Sequence, residues 1–312
     1  MIVLYWVWRI GVFCVSRLPQ RLSFMAAEWV GSFTYYLMPL RRQVARENFA
    51  HVLRKPANDP EVGRVTRRAF KNFARLLCDV MRYPRMTIQE IEQRVTLYHS
   101  EYLQQALAYG KGIILVSAHF GNMDLSSAFL AHRYAPITLV GETLRPRQLM
   151  DWLTYIRRQR RVHLYPYQSA PRKIIEALKR NELTAFLLDF GVTHHFDITT
   201  VPVRFFDTET DFPAGPAQLA LLTGAPIVVG HTRMCRDGHI EIEVTPPILV
   251  ERAENRRQVI QNTMQEIARR MEQFIRAHPE QWYIFRPMWK NNQSARRKIP
   301  SLSQQPHSTL EA

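Results

Sequence analysis

The sequence predicts an α/β protein with a mostly parallel central sheet flanked by helices, preceded by N-terminal membrane-associating helices. Three observations lead to this fold class. Beyond residue 110, short apolar runs alternate with longer amphipathic stretches, a pattern typical of βαβ units. Residues 41–110 are rich in arginine and lysine and carry apolar side chains at helical spacing. Residues 1–40 contain two apolar, aromatic stretches.

Each element of the α/β part is assigned from its hydrophobic period. The predicted strands cover 113–118, 136–141, 184–188, 201–206, 226–230 and 239–244. The predicted helices cover 123–132, 147–159, 171–180, 214–223 and 254–277. The last helix carries an apolar stripe that we interpret as core packing, formed by Ile260, Met264, Ile267, Met271 and Phe274.

The N-terminal stretches are rich in aromatic residues but short. Arg9 interrupts the first stretch, so no apolar run reaches the ~20 residues that a spanning helix needs. The second stretch, 24–40, has Glu28 as its only charge. Tryptophan and tyrosine rings of this kind settle at lipid interfaces, so we expect a helical pair in or against the inner leaflet. Two buried core helices are the alternative.

Composition limits the class of partner and the compartment. The 312 residues include 42 Lys and Arg against 27 Asp and Glu, a net charge of +15. This excess suits an anionic membrane surface, phosphorylated substrates or nucleic acid. The three cysteines are widely spaced, without a CxxC pair, which favours a reduced, cytosol-facing protein over a disulfide framework.

Changes in composition also predict the domain boundaries. Residues 1–40 form the membrane-associating segment. Residues 41–290 form the main domain, helical over 41–110 and α/β over 111–290. Residues 291–312 are polar, basic and poor in apolar side chains, which predicts a disordered basic tail.

The segment 113–124 carries the strongest functional signal. Its buried strand ends on His119, and Asp124 follows five residues later. A neutral imidazole can take a proton from an attacking hydroxyl when a carboxylate accepts from its other ring nitrogen, and we assign those roles to His119 and Asp124. Gly121 permits the tight turn, and Asn122 or the backbone amides of the turn could donate to an oxyanion. The alternative is a strand with an ordinary polar exit loop.

The chain has no G-x-S-x-G nucleophile elbow, which argues against an acyl-enzyme hydrolase. A histidine and a carboxylate without their own nucleophile indicate direct transfer to a substrate hydroxyl.

The His-x4-Asp motif, with Gly110-Lys111-Gly112 before its strand, resembles that of bacterial glycolipid acyltransferases. These are the late lipid A acyltransferases and the related phosphatidylinositol mannoside acyltransferases. Further blocks match in the same order along nearly the whole chain: 41–53 with Arg46-Glu-Asn48, 142–160, Leu187-Leu188-Asp189, Phe205-Phe206, 212–226 and 279–283.

The resemblance implies a glycerolipid-acyltransferase-like fold and roles for several residues. His119 is the general base and Asp124 its orienting partner. Arg157 or Arg158 is a required arginine whose guanidinium can clamp a phosphate, although an arginine in such a basic run also suits a solvated helix face. Asp189 is a required acid, although a strand-end acid is commonplace. The remaining candidate substrate-binding residues are Glu142, Arg145 and Asn122.

The resemblance also implies the partners. The acyl donor is acyl-CoA or an acyl carrier protein, the acceptor is a membrane glycolipid or lysophospholipid, and no cofactor is required. The site of action is the cytoplasmic face of the bacterial inner membrane. The lipid A branch usually carries Glu where this chain has Asp124, which favours the phosphatidylinositol mannoside branch or an uncharacterised relative.

Other functions fit fewer observations. His194-His195-Phe196-Asp197 lacks further ligands at useful spacing, so we expect no metal there. A basic nucleic-acid-binding or membrane-binding module without catalysis would explain the charge, but no known recognition motif is present and no nucleic acid is expected. A lipid-binding protein that has lost its activity is a third interpretation.

Overall fold

The computed structural model describes residues 2–141, 146–166, 170–189, 199–251, 253–290 and 292. Their helices are α1 (Ile2–Val15), α2 (Gln20–Leu37), α3 (Pro39–Leu53), α4 (Pro60–Arg82), α5 (Ile88–Gln93), α6 (Ser100–Ala108), α7 (Met123–Arg133), α8 (Arg147–Arg158), α9 (Ala170–Lys179), α10 (Gly215–Thr223) and α11 (Arg256–Ala277). Their strands are β1 (Val95–Tyr98), β2 (Ile113–Ser117), β3 (Ile137–Gly141), β4 (Val162–Pro166), β5 (Leu183–Leu187), β6 (Thr200–Phe205), β7 (Thr208–Pro213), β8 (Ile227–Met234) and β9 (Ile240–Val244).

The central sheet is mostly parallel, as predicted. Its seven strands lie in the order β1-β9-β8-β2-β5-β3-β4. The strands from β8 to β4 all run in one direction, whereas β9 is antiparallel to β8 and pairs in parallel with β1. A separate antiparallel hairpin joins β6 to β7. The carboxyl ends of β2, β5 and β3 therefore meet at one edge, where α/β enzymes place their sites.

The three strands that the sequence analysis missed, β1, β4 and β7, all lack a continuous apolar run. β1 and β4 are the outermost strands of the sheet, and β7 reads Thr-Glu-Thr-Asp-Phe-Pro. An edge strand is covered on fewer sides than a central one, so its sequence lacks the continuous apolar run that identified β2. For this reason β1 was absorbed into the helical prediction for 41–110, the part of the chain that contains most of α3 and all of α4 to α6.

The core lies on both faces of the sheet. Ile113 belongs to a buried cluster with α6 and α7, and Ile114 belongs to the cluster that contains α10 and α11. Successive residues of a strand point to opposite faces, so β2 is buried on both sides. The apolar stripe of α11 is core packing, as predicted, since Ile260, Met264 and Met271 are buried.

Helices α1 and α2 pack against α4 but leave much apolar surface exposed. Phe24, Gly31 and Tyr35 form part of the buried face of α2. We define the N-terminal apolar surface by the exposed side chains of the two helices, which are Trp6, Val7, Ile10, Phe13, Leu22, Met25, Trp29, Val30, Phe33, Tyr36 and Leu37. Of the helices described, none is long and apolar enough to span a bilayer.

Close backbone contact between α2 and α4 depends on Gly31. A Cβ at this position would lie 2.7 Å from the Lys71 Cα and from the Phe70 carbonyl oxygen. Backbone atoms cannot yield as a flexible side chain can, so the two helices approach this closely only because position 31 lacks a Cβ.

We predict that Gly31→Ala lowers the free energy of unfolding by about 1–3 kcal/mol, because the added methyl group overpacks the interface between α2 and α4. Gly63→Ala is the matched control. Its Cβ would meet only the Arg46 guanidinium at 3.8 Å, and alanine in a helix is favoured over glycine by about 1 kcal/mol. Chemical denaturation measures both variants, and equal destabilisation would contradict this account of the interface.

Candidate active site

The pairing of β2 with β5 determines the centre of the site. In this parallel ladder Ser117 lies opposite Leu187, and the Leu188 amide donates to the Ser117 carbonyl oxygen at 3.1 Å. Two residues further along each strand, the same register brings His119 next to Asp189. These residues lie 70 positions apart in the sequence and meet only because their strands are neighbours.

Asp189 holds both the ring and the backbone of His119. The Nδ1 atom of His119 lies 2.9 Å from Asp189 Oδ1, and the His119 backbone amide donates to both carboxylate oxygens at 3.0 and 2.9 Å. The indole N–H of Trp282 donates to Asp189 Oδ2 at 2.8 Å. The Asp189 side chain is fully buried, whereas that of His119 is 42% exposed. The imidazole is thus oriented from inside the protein and accessible from outside.

These donors determine the charge state of Asp189. Burial alone disfavours the carboxylate, but the His119 ring, its amide and the Trp282 indole stabilise the charged form and lower the pKa of Asp189 below its ordinary value. Asp189 is therefore an acceptor at neutral pH, and Nδ1 of a neutral His119 carries the proton. The lone pair of the ring then lies on Nε2.

The segment around Trp282 holds the residues that follow β2 through two backbone hydrogen bonds. The Tyr283 amide donates to the His119 carbonyl oxygen at 2.8 Å, and the Gly121 amide donates to the Gln281 carbonyl oxygen at 3.0 Å. Gly121 has φ of +58°, and a Cβ there would lie 1.6 Å from the Thr232 carbonyl oxygen. Only glycine fits this turn, as predicted from the sequence.

Asp124 pairs with an arginine in this structure. The Arg157 Nε atom donates to Asp124 Oδ1 at 2.7 Å, and the two side chains are 21% and 12% exposed. Burial opposes the charge of Arg157, but the adjacent Asp124 carboxylate outweighs it and raises the arginine pKa. The ion pair joins the first turn of α7 to the last turn of α8.

Asn122 caps α7 and is fully buried. Its Oδ1 atom accepts from the Leu125 amide at 3.1 Å, and its Nδ2 atom donates to Asp79 Oδ2 at 2.8 Å. A buried amide with these two partners holds the turn together, so the side chain is not placed to contact an oxyanion in the substrate.

The structure thus changes the expected division of roles. The carboxylate on Nδ1 of His119 is Asp189, where the sequence analysis placed Asp124, because strand pairing, and not proximity along the chain, selects the neighbour. Of the two arginines left open, Arg157 contacts Asp124, whereas Arg158 is exposed. The predicted residues Glu142 and Arg145, the His194–Asp197 run, and all of the predicted tail except Asn292 lie outside the described residues.

The sequence analysis assigned no role to Trp282 or to Asp79. Trp282 lies in the 279–283 block that carried the resemblance, but no role was assigned to it. Asp79 lies in the basic helix α4, and its sequence signal is an acid within the apolar run from Leu76 to Met81.

A half-exposed histidine held by a buried carboxylate, here at the carboxyl edge of a parallel sheet, can accept a proton from a hydroxyl group. Comparison with known proteins identifies its family. The family described as bacterial lipid A biosynthesis acyltransferase matches residues 1–291. The chain therefore belongs to this family and is an O-acyltransferase.

Individual relatives agree with this assignment. The chain is 27% identical over 248 residues to a phosphatidylinositol mannoside acyltransferase of Mycolicibacterium smegmatis, covering 78% of each chain. It is 26% identical over 300 residues to the protein of that name from Mycobacterium tuberculosis, covering 94% of this chain and 90% of the relative. It is also 26% identical over 198 residues to a lipid A biosynthesis acyltransferase of Haemophilus influenzae, covering 62% of this chain and 58% of the relative.

We predict that Asp189→Asn destabilises the protein by about 1.5–3 kcal/mol at neutral pH, because three N–H donors lose their charged acceptor. Folding lowers the pKa of Asp189, so the ionised group stabilises the fold above the ordinary carboxyl pKa. That contribution is lost as the pH falls through the lowered value. The difference in unfolding free energy between wild type and variant is thus expected to shrink below about pH 4. A difference independent of pH would contradict the role of the charge.

Proposed function

We propose that the protein transfers a fatty acyl group from a thioester, either acyl-CoA or an acyl carrier protein, to a hydroxyl of a membrane glycolipid or lysophospholipid. The observation that carries this proposal is the His119–Asp189 pair at the carboxyl edge of the sheet in a chain of the acyltransferase family.

In this mechanism the acceptor hydroxyl gives its proton to Nε2 of His119 as its oxygen attacks the thioester carbonyl carbon. Asp189 accepts from Nδ1–H throughout, keeps the ring in the productive tautomer and stabilises the imidazolium that forms. Collapse of the tetrahedral intermediate breaks the C–S bond, and the proton on His119 passes to the departing thiolate. The products are an acylated lipid and a free thiol.

The environments of the cysteines support direct transfer over a covalent enzyme intermediate. Cys78 is buried, and burial together with the neighbouring Asp79 raises its thiol pKa to about 12. Burial also raises the pKa of Cys235. A thiol with a raised pKa is a poor nucleophile at neutral pH. Cys14 lies on α1, which does not supply any of the site residues described above.

Asp124 and Arg157 have a positioning role in this proposal. Their ion pair holds α7 against α8 and so fixes the turn that follows His119. Arg158 lies beside the pair on the last turn of α8 and is exposed. We therefore assign to Arg158 the contact with a phosphate of the lipid or of the donor's phosphopantetheine arm.

The membrane is the proposed location of the reaction. Trp29, the most exposed ring of the N-terminal apolar surface, has 77% of its area accessible. Basic side chains flank that surface, with the Arg67 guanidinium 5.8 Å from the centre of the Tyr36 ring. Apolar area beside arginines binds the headgroup region of anionic membranes. We propose that residues 1–40 lie on the cytoplasmic face of the inner membrane and bring the active site to the lipid acceptor.

The names of the relatives support a glycolipid acceptor. They specify phosphatidylinositol mannoside or lipid A. Mass spectrometry of lipids from cells lacking the protein tests this part. The lipid that accumulates one acyl chain short is the acceptor, and an unchanged lipid profile would contradict the proposal.

We predict that His119→Ala abolishes acyl transfer, because it removes the base. Asp189→Asn lowers kcat by about 10²–10⁴-fold, because it removes the carboxylate that orients the base. The measurement is thioester consumption with lipid present, and Glu272→Gln on α11 is the control. Transfer by His119→Ala at the wild-type rate would overturn the mechanism. Bound lipid without turnover by the wild type, across several donors and acceptors, would support a lipid-binding protein that has lost its activity.

We predict that the double substitution Trp29→Glu and Phe33→Glu weakens binding to vesicles containing phosphatidylglycerol by about tenfold or more, because burial of two large apolar side chains is replaced by two repelled charges. Leu222→Glu, on α10, is the control, because Leu222 is 56% exposed outside the N-terminal apolar surface. Co-sedimentation measures binding. Equal loss of binding in both proteins would refute membrane binding by the N-terminal apolar surface. Salt-sensitive binding to duplex DNA that is stronger than binding to vesicles would favour the nucleic-acid alternative.

A further inference from the structure

A second buried carboxylate lies directly behind the active-site turn. Asp79, on α4, is 1% exposed, and the Arg94 guanidinium contacts it through two nitrogens, Nη1 at 3.2 Å from Oδ1 and Nη2 at 2.8 Å from Oδ2. This pair takes no part in the mechanism above. A buried ion pair adds little to stability when compared with apolar packing, so its presence here requires another explanation.

The geometry of the pair points to the active-site turn. Asp79 Oδ2 also accepts from Asn122 Nδ2 at 2.8 Å. Asn122 lies three residues after His119 and two before Asp124. Its Oδ1 atom caps α7 through the Leu125 amide, and its carbonyl oxygen accepts from the Ser126 amide at 3.2 Å. One carboxylate oxygen thus holds the midpoint of the motif that carries the chemistry.

Arg94 is itself fixed, so the contact has a rigid base. Its Nε and Nη2 atoms donate to the Gly238 carbonyl oxygen at 3.1 and 2.7 Å, in the turn between β8 and β9. Asp79 and Arg94 together therefore connect four separate parts of the chain, namely α4, the segment before β1, the β8–β9 turn and the start of α7. A satisfied network of this kind restricts each member to one position.

We propose that Asp79 is a positioning residue for acyl transfer: held by Arg94, it fixes Asn122 and so sets the start of α7, with Asp124 and its partner Arg157, relative to His119. The inference rests on the proposed function, because it assigns Asp79 to that same site. It acts through Asn122 and touches neither substrate nor the reacting atoms.

A reversed hydrogen bond tests the proposal. Asp79→Asn sets an amide N–H group against either the Asn122 amide or the Arg94 guanidinium, because donors face both carboxylate oxygens. Asn122→Asp places two carboxylates face to face. The double substitution restores the bond between positions 79 and 122 with donor and acceptor exchanged, and a carboxylate at position 122 still caps the helix. The regain is partial, because the amide at position 79 no longer accepts from Arg94 Nη2. We expect each single variant to lower kcat by about 10- to 100-fold with little change in KM, and the double variant to regain about tenfold over the weaker single variant.

Asn122→Ser tests the same proposal if Asp79→Asn or Asn122→Asp, which change a buried charge, does not fold. Serine keeps an oxygen for the cap and leaves the Asp79–Arg94 pair intact, so only the link between Asp79 and the turn is lost. Glu266→Gln is the control, because it breaks ion pairs with Arg269 and Arg270 on α11. We expect Asn122→Ser to lower kcat and Glu266→Gln to leave it unchanged, with both proteins folded by circular dichroism.

Amide hydrogen exchange at Leu125 and Ser126 provides a readout that does not require activity. The proposal expects faster exchange in Asp79→Asn and Asn122→Ser, and slower exchange again in the double variant. A folded Asn122→Ser protein with wild-type kcat and wild-type exchange would overturn it, as would a double variant no better than either single one. If the wild type transfers no acyl group, the proposed function fails, and the exchange rates alone decide whether Asp79 positions the turn.

Discussion

The burial of the Asp189 carboxylate is the constraint on which the rest of the site depends. A carboxylate removed from water is costly unless hydrogen-bond donors replace the solvent. Here the donors come from His119, by ring and backbone, and from Trp282. The carboxylate is satisfied only if the ends of β2 and β5 and the 279–284 segment assemble together. The same contacts that offset this cost also orient the histidine, so folding and the orientation of the His119 ring have one physical origin.

Two further ion pairs extend the arrangement into the helices. Asp124 with Arg157 joins α7 to α8, and Asp79 with Arg94 joins α4 to the segment before β1. Both carboxylates flank the turn after His119 in space, one on its own helix and one behind it. The turn is thus held from the sheet, from the helical layer and from the closing segment. A side chain that is held from three directions has little conformational entropy left to lose.

Much of the fold was predictable because its elements are strongly patterned. The continuous apolar run of β2 and the 4-3-4-3 stripe of α11 each indicate one structure. The edge strands β1 and β4 were not predictable, since partial exposure removes the apolar run that distinguishes a strand. In the site, His119 was predictable from its place at the end of a strand. Its partner was not, because Asp124 lies five residues away in sequence and Asp189 lies 70 away.

The sequence by itself determined which chemical groups are available: a histidine at the end of a buried strand, nearby acids and arginines, and the order of blocks that marks the family. Only the tertiary structure decided which groups meet. The order of strands in the sheet places β5, and not the start of α7, beside the ring of His119. The physical reason is that local sequence controls backbone conformation over a few residues, whereas strand order depends on how the whole chain buries its apolar surface. Asp124, left without the ring nitrogen, pairs instead with an arginine that the helix packing brings to it.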